Sequence, residues 1–280
     1  MGDDASDERH LFGERRETAT GFLASAMGVV RVELAPDRLG GFGIVERCHA
    51  ADIAAGGGEL AVATEEDVLL AGESRETFTP LGFGPAAAVG IEDETVYAAS
   101  PEGTVAATPL TAVDGTATEW DRRGEVSGPS SFDGSVLATA SGVVRVAPAF
   151  EALGLDGATD VTQGESLLAG SPDGLFEYDN GEWLRRFDRP IRQVVAGEDA
   201  VFVVTETGQL FRDADTLWTE VSLSEGTRAA AVAPGRSLYV VTEAGDVFIS
   251  AEPTAATDGF GGRESEPLGV REIRAFTLDS

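Results

Sequence analysis

Four arginines, Arg185, Arg186, Arg189 and Arg192, fall within eight residues of the segment LRRFDRPIR. They are a fifth of the 20 bases in a chain that carries 49 acids. A guanidinium presents a planar fork of donors that matches a carboxylate or a phosphate. A cluster of this density is therefore a candidate binding site for an anion or an acidic partner. The competing reading is structural, with each arginine paired to a carboxylate of an adjacent segment. Pro190 fixes a bend within the cluster, so the segment should turn from the rim of the molecule back toward its axis.

Other chemistry is sparse. Cys48 and His49 are adjacent, and a Cys–His pair can act as nucleophile and base. Neighbouring residues of a strand point to opposite faces, however, so this pair reads as a small apolar side chain beside a polar one. One cysteine and two histidines with no paired spacing give no zinc site, and one cysteine allows no internal disulfide. The acids are too many and too evenly spread to single out a catalytic pair; Asp52 and Glu272 are examples of positions that would point inward if glycosidase-like carboxylates surrounded a central opening. No residue is assigned a catalytic or metal-binding role, and no cofactor is expected. Three Gly-Phe-Gly triplets, at 41–43, 82–84 and 259–261, do not open helices, so phosphate-loop logic does not apply. They read as turns anchored by a phenylalanine.

The formal net charge is -29. Every base is arginine, and the single asparagine is Asn180. Carboxylates spread along the whole chain repel one another in dilute buffer, and molar salt screens them because the Debye length shrinks to about 3 Å at 1 M. The expectation is a protein built for a salt-rich, halophilic interior. The same charge argues against nucleic acid, whose recognition rests on neutralising phosphates, and against anionic membranes. No run of 18 apolar residues is present, which excludes a membrane-spanning helix by length. The N-terminus lacks the basic and apolar regions of a secretion signal; a cytoplasmic protein is expected.

What would position these groups is a repeat. Seven times an apolar run, a polar turn and a second apolar run recur: 22–32, 60–70, 96–106, 136–146, 167–176, 201–211 and 238–248. With Leu23, Ala61, Tyr97, Leu137, Leu168, Phe202 and Tyr239 as equivalents, the steps are 38, 36, 40, 31, 34 and 37 residues. Such a period means a propeller, a solenoid or an array. Runs rich in Ala, Gly and Val (52–55, 86–90, 193–196, 229–232) precede several hairpins and suit crowded inner strands. Phe78, Trp120, Trp183 and Trp218 follow the hairpins and suit wide outer strands. Short apolar runs bounded by Gly, Pro and Asp, with no sustained helical period, give an all-β fold; only Glu151–Leu153 hints at a helical turn.

The expected fold is a single β-propeller of seven four-stranded blades. Residues 1–9 are acidic and expected to be disordered, residues 10–280 form the one domain, and 252–266 is an excursion of the last blade. Only six inner runs precede hairpins two to seven, so one blade must borrow a strand. The alternating segment Val270–Leu278 closes the ring better than the more polar His10–Arg16, and closure hides the sheet edges.

The segments Asp37–Cys48, Leu60–Val68, Gly82–Ala86 and Leu268–Ala275 resemble a family of haloarchaeal β-propeller proteins. The resemblance covers nearly the whole chain and implies fold, halophily and a cytoplasmic place; it carries no catalytic residues. WD-type propellers match less well, since Trp120-Asp121 is the one Trp-Asp pair and does not end a blade. The expected role is a non-catalytic binding platform, monomeric, with another protein as partner. The alternative is a hydrolase or lyase with its site at the central opening.

Overall fold

The computed structural model describes residues 18–35, 38–112, 118–147, 149–214, 217–250, 260 and 266–279. The acidic residues 1–9, the run 10–16 and nearly all of the excursion 252–266 lie outside them. The described residues form seven four-stranded antiparallel sheets, with one short 3-10 turn at Leu110–Ala112. Each sheet is a blade, and in six of the seven the strands run outward from the axis in chain order.

Closure falls to the C-terminus. The inner strand of blade 1 is Ile273–Leu278, which pairs antiparallel with Ala19–Ser25 through Leu23↔Phe276 and Ala24↔Ala275. The inner strands of blades 2 to 7 are Ala50–Gly56, Ala88–Glu92, Pro129–Asp133, Asp160–Gln163, Ile191–Ala196 and Ala229–Pro234. Each packs against the next around the ring, and the last packs against Ile273–Leu278.

Both faces of a blade meet a neighbour, so its strands are apolar on both sides and read as continuous hydrophobic runs. In blade 2, Leu60 and Val62 join the core shared with blade 1, while Ala61 and Ala63 join the core shared with blade 3. One such core fills each of the seven inter-blade wedges among the described residues.

Every central hairpin has the same start. Ser25, Thr64, Ser100, Thr139, Ser171, Thr205 and Thr242 each accept a hydrogen bond at the side-chain oxygen from a backbone N–H two to four residues on. A hydroxyl here substitutes for backbone partners that the turn lacks. The turn closes where the outer strand approaches. At Gly103, with φ +99, an added Cβ would lie 1.9 Å from the Val126 carbonyl oxygen, so only glycine fits.

Two local expectations are overturned. Glu151–Gly154 is the outer strand of blade 4, paired with Val143–Arg145, because the blade needs a fourth strand more than three residues favour a helix. Gly41-Phe42-Gly43 is not a turn. It lies inside the outer strand of blade 1, Leu39–Glu46, and Phe42 is 46% exposed.

Candidate functional site

The inner strands of all seven blades line a central cavity of about 450 Å³. One position of the inner strand recurs in every blade and is polar in four of them. Asp52, Ala88, Ser131, Asp160, Gln193, Ala231 and Ala275 each pair with the residue just before the hairpin Ser or Thr, so they are equivalent. Three of them reach into the next blade in the same way. Asp52 accepts from Val89 N–H at 3.0 Å, Asp160 from Val194 N–H at 2.8 Å, and Gln193 from Val232 N–H at 2.8 Å. Each acceptor meets the first residue after its own equivalent in the following blade.

The two carboxyls are buried. Burial pushes Asp52 up to about 7, aided by the Asp160 charge and opposed by the N–H groups of Val89 and Ile53. Burial likewise pushes Asp160 up to about 7; the Ser131 hydroxyl and the N–H groups of Val194 and Val161 oppose it, and the Asp133 charge adds to it. Asp133, at the far end of the blade 4 inner strand, is also raised by burial and accepts from Gln163 N–H at 2.6 Å. Asp52 thus does line the opening, as its sequence position suggests. Glu272 is exposed, with φ +54, and is not part of the cavity wall.

The four clustered arginines run from rim to axis. Arg185 and Arg186 belong to the outer strand of blade 5, Glu182–Phe187; Arg189 lies in the connection; Arg192 is on the inner strand of blade 6. The structure brings the first two together in a groove of about 650 Å³ between blades 5 and 6, beside Glu177, Asp213 and Trp218. Arg186 bonds Glu177, and the Arg185 guanidinium stands 5.5 Å from the Phe176 ring centre. Arg189 is separate: it donates to Gln209 Oε1 at 2.9 Å and covers the Phe211 ring at 4.8 Å. Arg192 reaches the central cavity and bonds Glu243 Oε1 at 3.0 Å and the Glu206 carbonyl at 3.1 Å. Arg274 of blade 1 is the second arginine in that cavity wall.

Cys48 and His49 occupy the connection from blade 1 to blade 2. Burial, with Glu46 and Glu66 adding to it, pushes the Cys48 thiol up to about 11, which removes the thiolate a nucleophile needs. His49 Nδ1 lies 3.2 Å from Glu65 Oε2. Among the described residues no group of three or more His, Cys, Asp or Glu stands at a metal-holding geometry, and no helix is long and apolar enough to cross a membrane.

The second Gly-Phe-Gly triplet has a defined partner that spacing alone does not reveal. The Asp67 carboxylate accepts from Gly82, Phe83 and Gly84 N–H at 2.8, 2.8 and 3.1 Å, and Phe83 packs on Trp120 at 4.8 Å between centroids. Phe260 of the third triplet is buried against Phe248.

A family model described as HVO_0234-like, beta propeller matches residues 5–279. The chain belongs to that family. The HVO_0234-like family takes its name from a haloarchaeal protein, in line with the resemblance drawn from the four sequence segments. No curated protein matches the chain. Among solved structures, it is similar to a chain of a nidogen/laminin complex, with TM-score 0.59 and 9% identity over 94% of this chain and 98% of that one. It is similar to YCF48 bound to D1 peptide, with TM-score 0.59 and 11% identity over 82% and 92%. It is also similar to the Neurospora crassa Pan2 WD40 domain, with TM-score 0.60 and 9% identity over 81% and 82%. At these identities the likeness concerns the fold.

Proposed function

We propose that this propeller is a non-catalytic protein-binding platform of a salt-rich cytoplasm, and that its partner is another acidic protein. The observation that carries the reading is how the cavity acids are used. Asp52 and Asp160 direct their oxygens at backbone N–H groups of the next blade, so they tie the ring together. Among the described residues, no histidine and no cysteine line the cavity beside them. A rigid ring that presents loops is a contact surface. The fold similarity to YCF48, solved with a D1 peptide, supports a protein partner. Arg185, Arg186, Arg189 and Arg192 are the proposed anion or partner contacts, with Arg185 and Arg186 foremost because they share one groove. Neither nucleic acid nor membrane is a partner of so acidic a chain.

The test is affinity purification of the tagged protein from its own cells in multimolar KCl, read by mass spectrometry. A stoichiometric protein partner, weakened by Arg185→Ala/Arg186→Ala, supports the platform. A solitary protein defeats it.

One observation favours a second reading. Two carboxyls poised near neutral pH in one cavity are what a hydrolase or lyase site at the central opening requires. A hydrolase screen in which Asp52→Asn abolishes a turnover seen in the wild type would establish it.

A further inference from the structure

The outer strand of a propeller blade is an exposed sheet edge, with unpaired N–H and C=O groups that template another chain. Six blades blunt that edge. Blade 2 ends in three residues closing on Pro80, and blade 7 in Glu266–Pro267. Blade 3 presents Asp121–Glu125, with charges at all but Gly124. Blade 4 has four residues opening on Glu151, blade 5 carries Glu182, Arg185 and Arg186, and blade 6 carries Glu220.

Blade 1 does none of this. Its outer strand, Leu39–Glu46, is the longest of the seven among the described residues and holds no charge from Leu39 to Val45. In a chain where a quarter of the residues are charged, seven uncharged residues on an exposed edge call for a physical reason. Gly40, Gly41, Phe42 and Gly43 are all exposed, and a Cβ on Gly43 would meet nothing within 4 Å. Intramolecular packing therefore does not require glycine at 43, whereas close approach of another backbone would. Over Phe42–Ile44 the strand keeps regular register with Val30–Val32, and the register shifts lie to either side.

We propose that this edge pairs antiparallel with the same edge of a second copy, joining two blade 1 sheets across a two-fold axis at Phe42. The occupant is argued from charge. With the axis at Phe42, Gly41 faces Gly43, Gly40 faces Ile44, Leu39 faces Val45, and Arg38 faces Glu46 of the second copy. Arg38 is exposed and has no ion-pair partner among the described residues, and the Glu46 carboxylate bonds only the backbone N–H of Arg47 there. The strand is thus self-complementary, with two uncharged halves bounded by one cation and one anion, as an isologous interface demands. The two Phe42 rings would stack at the centre. High salt assists by screening the repulsion between two chains of charge -29.

Sedimentation and light scattering in multimolar KCl test this, with circular dichroism to verify folding. The wild type is expected at twice the chain mass. Phe42→Lys, which sets two like charges at the axis, and Arg38→Glu, which sets two acids face to face, are expected to give single chains with unchanged spectra. The double variant Arg38→Glu/Glu46→Arg is expected to restore the dimer. A wild type of single-chain mass at every concentration overturns the proposal, as does a dimer that survives Phe42→Lys. Should Arg38→Glu misfold, Phe42→Lys carries the test, because its side chain is on the surface.

Discussion

The indole Nε1 of Trp183 donates a 2.9 Å hydrogen bond to the carbonyl oxygen of Leu153 in the outer strand of the preceding blade. Trp218 repeats it on Arg186, and Trp120 on Leu81, both at 3.1 Å. The tryptophans therefore do more than fill the wedge at the rim. Each supplies a donor to the blade before it. A hydrogen bond of this kind contributes about 1 kcal/mol net. Trp183→Phe keeps most of the apolar area and loses the donor, so it is expected to cost about 1 kcal/mol and to lower the melting temperature by about 2–4 °C. Calorimetry in fixed KCl checks this, and an unchanged transition would show the bond to be dispensable.

The cavity acids make stability depend on pH in an unusual direction. Asp52 and Asp160 have folded pKa values near 7, above the ordinary 3.8. The folded state therefore holds more protons than the unfolded state between those values, and stability falls as pH rises through that window. The melting temperature should be higher at about pH 6 than at about pH 8, with the difference reduced in Asp52→Asn and in Asp160→Asn. A melting temperature that climbed from the lower pH to the higher, and did so equally in both variants, would contradict the assignment.

Salt is the third lever. A net charge of -29 with acids on every blade predicts a melting temperature that rises steeply between about 0.1 M and about 3 M KCl as self-repulsion is screened. A flat profile would mean that the acidity is not an adaptation to salt.

The hairpin glycines set a steric limit. Gly103→Ala must accommodate a Cβ at 1.9 Å from the Val126 oxygen and a positive φ. The expected loss is at least about 2 kcal/mol, read from denaturant unfolding. Gly43→Ala, with open space around its Cβ within the chain, is the control when made in the single-chain Phe42→Lys background, where it should unfold like its parent.

The blade count and the closing strand were legible because the hairpins repeat, and because Val270–Leu278 alternates and is less polar than the competing run His10–Arg16. The hairpin Ser or Thr was visible in all seven copies yet carried no evident meaning until its hydroxyl was seen to accept turn N–H groups. The belt of Asp52, Asp160 and Gln193 was hidden by a different cause. Register shifts near the start of several inner strands (Ala50/Asp52, Ile191/Gln193) break simple alternation, so spacing does not tell which side chain turns to the next blade. Phe42 was misread as a turn residue because glycines flank it, and glycine serves exposed edges as well as turns. The arginine cluster was legible as a density of charge, but its division among an outer strand, a connection and an inner strand needed the fold.

Partner recovery by a channel variant tests the platform reading most directly. The tagged wild type and an Asp52→Asn/Asp160→Asn double variant would be purified in parallel from native cells in multimolar KCl, and each eluate screened for hydrolytic turnover. The platform predicts one stoichiometric protein partner in both eluates and no turnover in either. A solitary wild type whose turnover is lost in the double variant would contradict it and move the function into the central cavity.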